Sequence, residues 1–205
     1  MIRKYLSALA CALSVMAANA VNVADMFVSA PDSLMPYVSK EQRSELIGMK
    51  RIDQSSSAEI NVSLKTSVVV DSLSDDFIRV GIGQVKYEIA RLVSSNSSAD
   101  SVFCVLRTFK TPEPETVGYL YDNSWNMLRE IDFDDVFLQM PVVSDAEKEI
   151  LDKMEFPMVE AHFNSSTSSI VLTLSTPLMW KEEKNNSLPI LQRNLKWDGE
   201  SFKEY

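Results

Sequence analysis

One histidine, two cysteines and five glycines among 205 residues set the first limits on what this chain can do. A single imidazole leaves one base, His162, for any nucleophile–histidine–acid arrangement. Two cysteines cannot build a disulfide framework or a four-cysteine zinc site. With five glycines, loops that cradle phosphate are hard to form, and no G-x-S-x-G, P-loop, H-E-x-x-H or dinucleotide fingerprint occurs. Basic residues are also scarce: 20 Lys and Arg against 29 Asp and Glu give a net charge of −9. That balance argues against nucleic acid as a partner, because phosphate binding needs a basic surface. No cofactor is expected. What is present is a 45% hydrophobic composition with only eight prolines, which belongs to a globular chain and not to a disordered one.

The first 20 residues read as a secretory signal peptide. Arg3 and Lys4 precede an uncharged apolar run from Tyr5 to Ala18, and Ala18-Asn19-Ala20 puts small residues where signal peptidase needs them. Cleavage is expected between Ala20 and Val21. The run is shorter than the roughly 20 residues of a membrane-spanning helix. Leu9-Ala10-Cys11 is a weaker alternative, a lipidation site with its leucine one place too close to the cysteine. No later stretch is apolar enough to span a membrane, so the mature chain is expected to have no transmembrane segment. Loss of Arg3 and Lys4 makes that chain more acidic still. Cys104 then remains alone among Val102, Phe103, Val105 and Leu106, where a thiol behaves as a small hydrophobe.

Along the mature chain, Val23 to Ala30 predicts a short helix stopped by Pro31, and Pro31 to Pro36 a turn. Ser39 opens a second helix with Gln42 as its capping-box partner; Leu46, Ile47 and Lys50 share one side, and the helix ends near Arg51. From there the hydrophobic period falls from 3.6 to 2. Ile60, Val62 and Leu64 form one strand, Phe77 to Ile82 another. Val85, Tyr87 and Ile89 alternate with Lys86, Glu88 and Ala90, which predicts a strand with one wet face. Val102 to Phe109 is apolar at nearly every position and predicts a central strand covered on both faces, reached from its neighbour through the Ser/Asn-rich link 94–101. Val117 to Tyr121 is a further strand, ended by Asp122-Asn123. Ser144 and Glu147 form a second capping box, opening a helix with Ile150, Leu151 and Met154 on one stripe, stopped before Pro157. Val159, Ala161 and Phe163 alternate with Glu160 and His162, placing the histidine on the wetter side of a strand. Ile170 to Leu174, a short helix near Met179 to Lys184, and a hairpin turning at Asp198-Gly199 complete the chain. The expected fold is therefore α+β: N-terminal helices and one mid-chain helix on a largely antiparallel, meandering sheet. Residues 21–205 are expected to form a single domain; a division into lobes, if there is one, falls at Met140-Pro141.

Acidic clusters are the remaining candidates for chemistry. Asp71, Asp75 and Asp76 are assigned to one loop, and Asp132, Asp134 and Asp135 to another. Hard cations take carboxylate oxygens, which makes Asp75, Asp76, Asp132 and Asp134 weak metal candidates. Neither cluster has calcium-loop spacing, and aspartate is common at turns and helix N-caps. The leading expectation is a non-catalytic binding module whose partner is an envelope protein. A carrier of lipid or another hydrophobic ligand is the first alternative, and a hydrolase using those four aspartates the second.

Several pieces carry a resemblance: Ala30-Pro31-Asp32-Ser33-Leu34-Met35-Pro36-Tyr37, Leu73-Ser74-Asp75-Asp76-Phe77, Val102 to Thr108, Tyr121-Asp122-Asn123-Ser124-Trp125, and Trp197-Asp198-Gly199 with Phe202. Together they resemble the secreted Bacteroides-type proteins grouped as domain-of-unknown-function family 3256. The resemblance implies a signal peptide, a periplasmic or cell-envelope location and an anaerobic gut-type bacterium, and no assigned activity. Members often have a cysteine pair after the central strand, where this chain has Phe109-Lys110-Thr111-Pro112. Asp-Ser before an aliphatic residue also resembles the O-glycosylation site of such bacteria, at Ser33, Ser72 and Ser101.

Overall fold

The computed structural model describes residues 21–62, 66–95, 101–110, 112–152, 154, 156–164, 168–176 and 191–205. The signal segment with Cys11, Leu64 and the expected helix at Met179 to Lys184 lie outside the described residues.

Helix α1 (Val23–Ser29) starts where the Asn22 side chain accepts the Asp25 N–H. Helix α2 (Lys40–Ile52) opens on the expected box: Ser39 Oγ accepts the Gln42 N–H, and Gln42 Oε1 accepts the Ser39 N–H at 2.9 Å. A buried arginine ties the two together. Arg43 is 2% exposed and donates to the carbonyls of Val28, Ala30 and Val38. The Val28 carbonyl belongs to the last turn of α1, where the helix leaves its carbonyls unpaired, and Ala30 and Val38 follow it. Lys50 is likewise buried and donates to the carbonyls of Gln54 and Ser56, closing the exit from α2.

Seven strands follow as an uninterrupted antiparallel meander in chain order: β1 (Ala58–Val62), β2 (Thr66–Leu73), β3 (Phe77–Ile82), β4 (Val85–Val93), β5 (Ser101–Phe109), β6 (Glu115–Tyr121) and β7 (Met127–Asp132). Two short helices, α3 (Phe133–Leu138) and α4 (Asp145–Asp152), lead into a second antiparallel sheet. Its strands β8 (Val159–Phe163), β9 (Ser169–Leu174), β10 (Gln192–Trp197) and β11 (Phe202–Glu204) lie in the order β11-β10-β9-β8. Met140 and Pro141 stand between α3 and α4, where the chain leaves the first sheet for the second.

The result is three layers of an α+β fold. Val68, Val70, Ile78, Val80, Tyr87, Ile89, Phe103 and Val105 pack under α1 and α2. The other face of β4 to β7 carries Ala90, Leu92, Cys104, Leu106, Leu120 and Ile131 against Val159, Ala161, Phe163, Ile170, Leu172 and Leu195 of the second sheet. Successive side chains of a strand point to opposite faces, so β5 feeds both cores, and Phe103 to Leu106 are all fully buried.

Several expectations are corrected here. Strand β4 has no wet face: Glu88 is 1% exposed because the second sheet covers that side. Asp71 belongs to β2, not to a loop, and faces Ser57 across the β1 edge. Asp132 ends β7 and caps α3, accepting the N–H groups of Asp134 and Asp135, which are helical. Strands β2 and β7, helix α3 and the separation into two sheets were not expected. The Ser144–Glu147 box is half formed. Ser144 Oγ accepts the Glu147 N–H, but the Glu147 carboxylate turns inward to Val143 N and Arg193.

Candidate partner-binding edge

A β-sheet exposes unpaired N–H and C=O groups along each edge strand, and stable proteins cover or shorten such edges. Strand β1 is five residues long and turns Ala58 and Val62 into the core beneath α2, and β11 has only three residues. At β8 the edge is closed by side chains of the first sheet. Phe163 N donates to Glu88 Oε2 at 2.9 Å and Ala161 N to Thr116 Oγ1 at 3.0 Å. Alternate N–H groups of a strand point the same way, so Glu88 and Thr116 meet the outward donors of β8 in succession. Arg79 Nε, 2.6 Å from Glu88 Oε1, balances the charge that Glu88 brings inside.

Strand β7 differs. It is six residues long, its burial alternation is lost, and no described element pairs with its outer edge. Met127 and Leu128 are 59% and 55% exposed. Beside it lies a cleft of about 240 Å³, lined by Arg129, Glu130, Ile131 and Asp132 of β7, Val136 of α3, and Leu195, Ser201 and Phe202 of the second sheet. Four consecutive strand residues point alternately up and down, so a cleft touching all four runs along the strand's backbone edge. Arg129 Nη2 donates to the Glu200 carbonyl at 3.1 Å, tying β7 to the β10–β11 turn. That turn needs Gly199, whose φ of 105° suits glycine and whose Cα lies against Ser95.

The carboxylates singled out from sequence take other roles. Asp76 pairs with Arg91, with Nε at 2.6 Å, and the backbone carbonyl of neighbouring Asp75 accepts the Val23 N–H. Asp132 lines the cleft while capping α3. Asp134 is half-buried: burial pushes its carboxyl up to about 6, Glu115 and Asp132 push the same way, and the Val159 amide opposes them. Its Oδ1 is buried without a hydrogen-bond partner. Among the described residues no three His, Cys, Asp or Glu side chains group as a cation site. His162 is half-buried on β8, opposite Val171. Cys104 is free and fully buried, and desolvation drives its thiol far above the usual range, away from the thiolate a nucleophile needs. Ser33 is exposed in the turn after α1, whereas Ser72 and Ser101 are half-buried in β2 and β5. No described helix is long and apolar enough to cross a membrane.

Two antiparallel sheets with helices on the outer face of the larger one define an α+β protein of helix–sheet–sheet layering. The chain belongs to the family described as protein of unknown function (DUF3256), whose model matches residues 14–202. Among solved structures it is similar to a domain of an uncharacterized protein from Porphyromonas gingivalis W83. The two share 20% identity over 89% of this chain and 97% of that one, with a TM-score of 0.66. At that identity the likeness speaks for the fold alone. No curated protein matches the chain.

Proposed function

We propose that this protein is exported to the periplasm or cell envelope and acts there as a non-catalytic binding module that engages a partner protein along β7. The observation that carries the reading is the cleft beside an uncovered strand edge, floored by Ile131, Val136, Leu195 and Phe202. Its size favours a protein partner over a carried lipid. Sites for small molecules usually measure roughly 300–1,000 Å³, and about 240 Å³ suits one or two side chains of a docked chain. The structural employment of Asp76 and Asp132 is consistent with a role other than catalysis. The export half of the reading rests on the order Arg3-Lys4, apolar run, Ala18-Asn19-Ala20.

Replacing Leu128 by a photo-crosslinking residue in the native envelope tests the surface, with Glu59 on the opposite edge strand as the control. A discrete protein adduct from position 128 and none from 59 is expected. A lipid adduct at 128, or none, counts against the reading. The intact mass of the same material should correspond to a chain beginning at Val21; one beginning at Met1, or carrying a diacylglyceryl group on Cys11, overturns the cleavage assignment.

A further inference from the structure

The register of β7 narrows the chemistry of what it can bind. Resting on the reading above, we infer that β7 receives an extended segment of a different protein in which apolar residues alternate with lysine or arginine, added as an eighth strand to the first sheet.

The two faces of β7 are set by its pairing with β6. Ile131 lies opposite Gly118 and Arg129 opposite Leu120, on the side turned toward the second sheet. Glu130 lies opposite Tyr119 and Asp132 opposite Val117, on the side turned toward the helices. An added strand continues the same pleat, with its side chains roughly 4.5–5.5 Å from those directly opposite on β7. One set therefore falls over Ile131, Val136 and Phe202 and needs to be apolar. The alternate set falls beside the exposed carboxylates of Glu130 and Asp132 and needs to be cationic. Arg129, the cation of β7 itself, is on the cleft side and held by the Glu200 carbonyl, so it does not pair with Glu130 or Asp132 on the other face. The excess of Asp and Glu over Lys and Arg draws a basic segment from a distance. Backbone pairing would supply the attachment and the alternating side chains the selectivity, as in other strand-addition complexes.

A second copy of this chain is the poorer occupant. Antiparallel pairing of two identical strands about a twofold axis sets one residue directly opposite its own copy. In the middle of β7 that residue is Arg129 or Glu130, and like charges directly opposite destabilise a sheet.

The test uses the full exported protein, labelled with ¹⁵N, and a capped eight-residue peptide of alternating valine and lysine. Saturable perturbation of the 127–132 amide signals is expected, at least tenfold tighter than with the valine–glutamate analogue. It should vanish when alternate peptide nitrogens are methylated. Glu130→Lys, an exposed substitution, should reverse the preference between the two peptides while signals remote from β7 stay in place. Equal binding of a Val₄-Lys₄ block peptide overturns the alternation. Tighter or equal binding of the glutamate peptide at β7 overturns the charge assignment while leaving a partner-binding edge standing. If no peptide perturbs β7 while Leu128 still crosslinks to a protein, strand addition is wrong and the broader reading survives. If crosslinking fails as well, both fall.

Discussion

Asp134 shows how one carboxylate can oppose the fold that holds it. Its carboxyl is raised to about 6 from an ordinary 3.8, chiefly by burial and then by Glu115 and Asp132. The folded protein thus binds this proton more tightly than the unfolded chain does. Folding is unpenalised below pH about 4, where both states are protonated, and the penalty grows as pH rises through about 6. The side chain is partly exposed, so solvent screens the effect and less than about 1 kcal/mol is expected. Asp134→Asn keeps an acceptor near the Val159 amide and removes the charge. The variant should resist urea better than the wild type at pH 8 and equally at pH 4. A variant less stable at pH 8 would mean that the carboxylate helps hold β8. Cys104, by contrast, carries no pH lever in the physiological range, because burial keeps its thiol protonated.

At the scale of elements, the closure of β8 is one of the devices that join the sheets. Thr116 Oγ1 accepts the Ala161 N–H and lies 2.8 Å from Thr108 Oγ1, all in the buried layer between β6 and β8. Thr116→Val keeps the shape and removes the acceptor. An orphaned buried N–H costs about 1–3 kcal/mol, so a loss of that size in urea unfolding is expected, with an unchanged dependence on urea concentration. A loss below about 0.5 kcal/mol would show that β8 does not depend on this contact. The same layer explains what could be read from sequence. Helix α2 and strands β3, β5, β8 and β10 were legible, since each has a cap, an alternation or a continuous apolar run. Strand β4 reads as half wet because Lys86 and Glu88 look like solvent-facing residues. Their partners, Glu160 for Lys86 and Arg79 and Phe163 for Glu88, come from other strands, and Glu160 and Phe163 lie more than 70 residues away in sequence. Arg193 and Glu147 were opaque for the same reason: they pair across α4 and β10, both buried. Strand β7 carried no signal at all. Met-Leu-Arg-Glu-Ile-Asp is exposed at five of six positions, so no apolar period marks it. The candidate site was hidden because an uncovered edge does not select an alternating pattern.

For the whole molecule, the two cores share β4 to β6, and the meander places β4 and β5 near its middle. Nine residue pairs, Val85↔Phe109 to Val93↔Ser101, join these two strands. Opening their central amides requires parting the helical layer on one face and the second sheet on the other. Those amides should exchange only through global unfolding, whereas edges open locally at much lower free energy. Amide hydrogen exchange should therefore be slowest at Tyr87 to Ala90 and Phe103 to Leu106, and fast along β11 and at the outward-facing amides of β7. Amides of Ala161 and Phe163 form the discriminating case. Although β8 is the last strand of its sheet, their N–H groups are held by Thr116 and Glu88. They should exchange far more slowly than the outward amides of β7, and Thr116→Val should release Ala161 first. Equal exchange at the two edges would mean that side-chain closure of β8 gives no real protection. It would also remove the contrast that singles out β7 as the edge available to a partner.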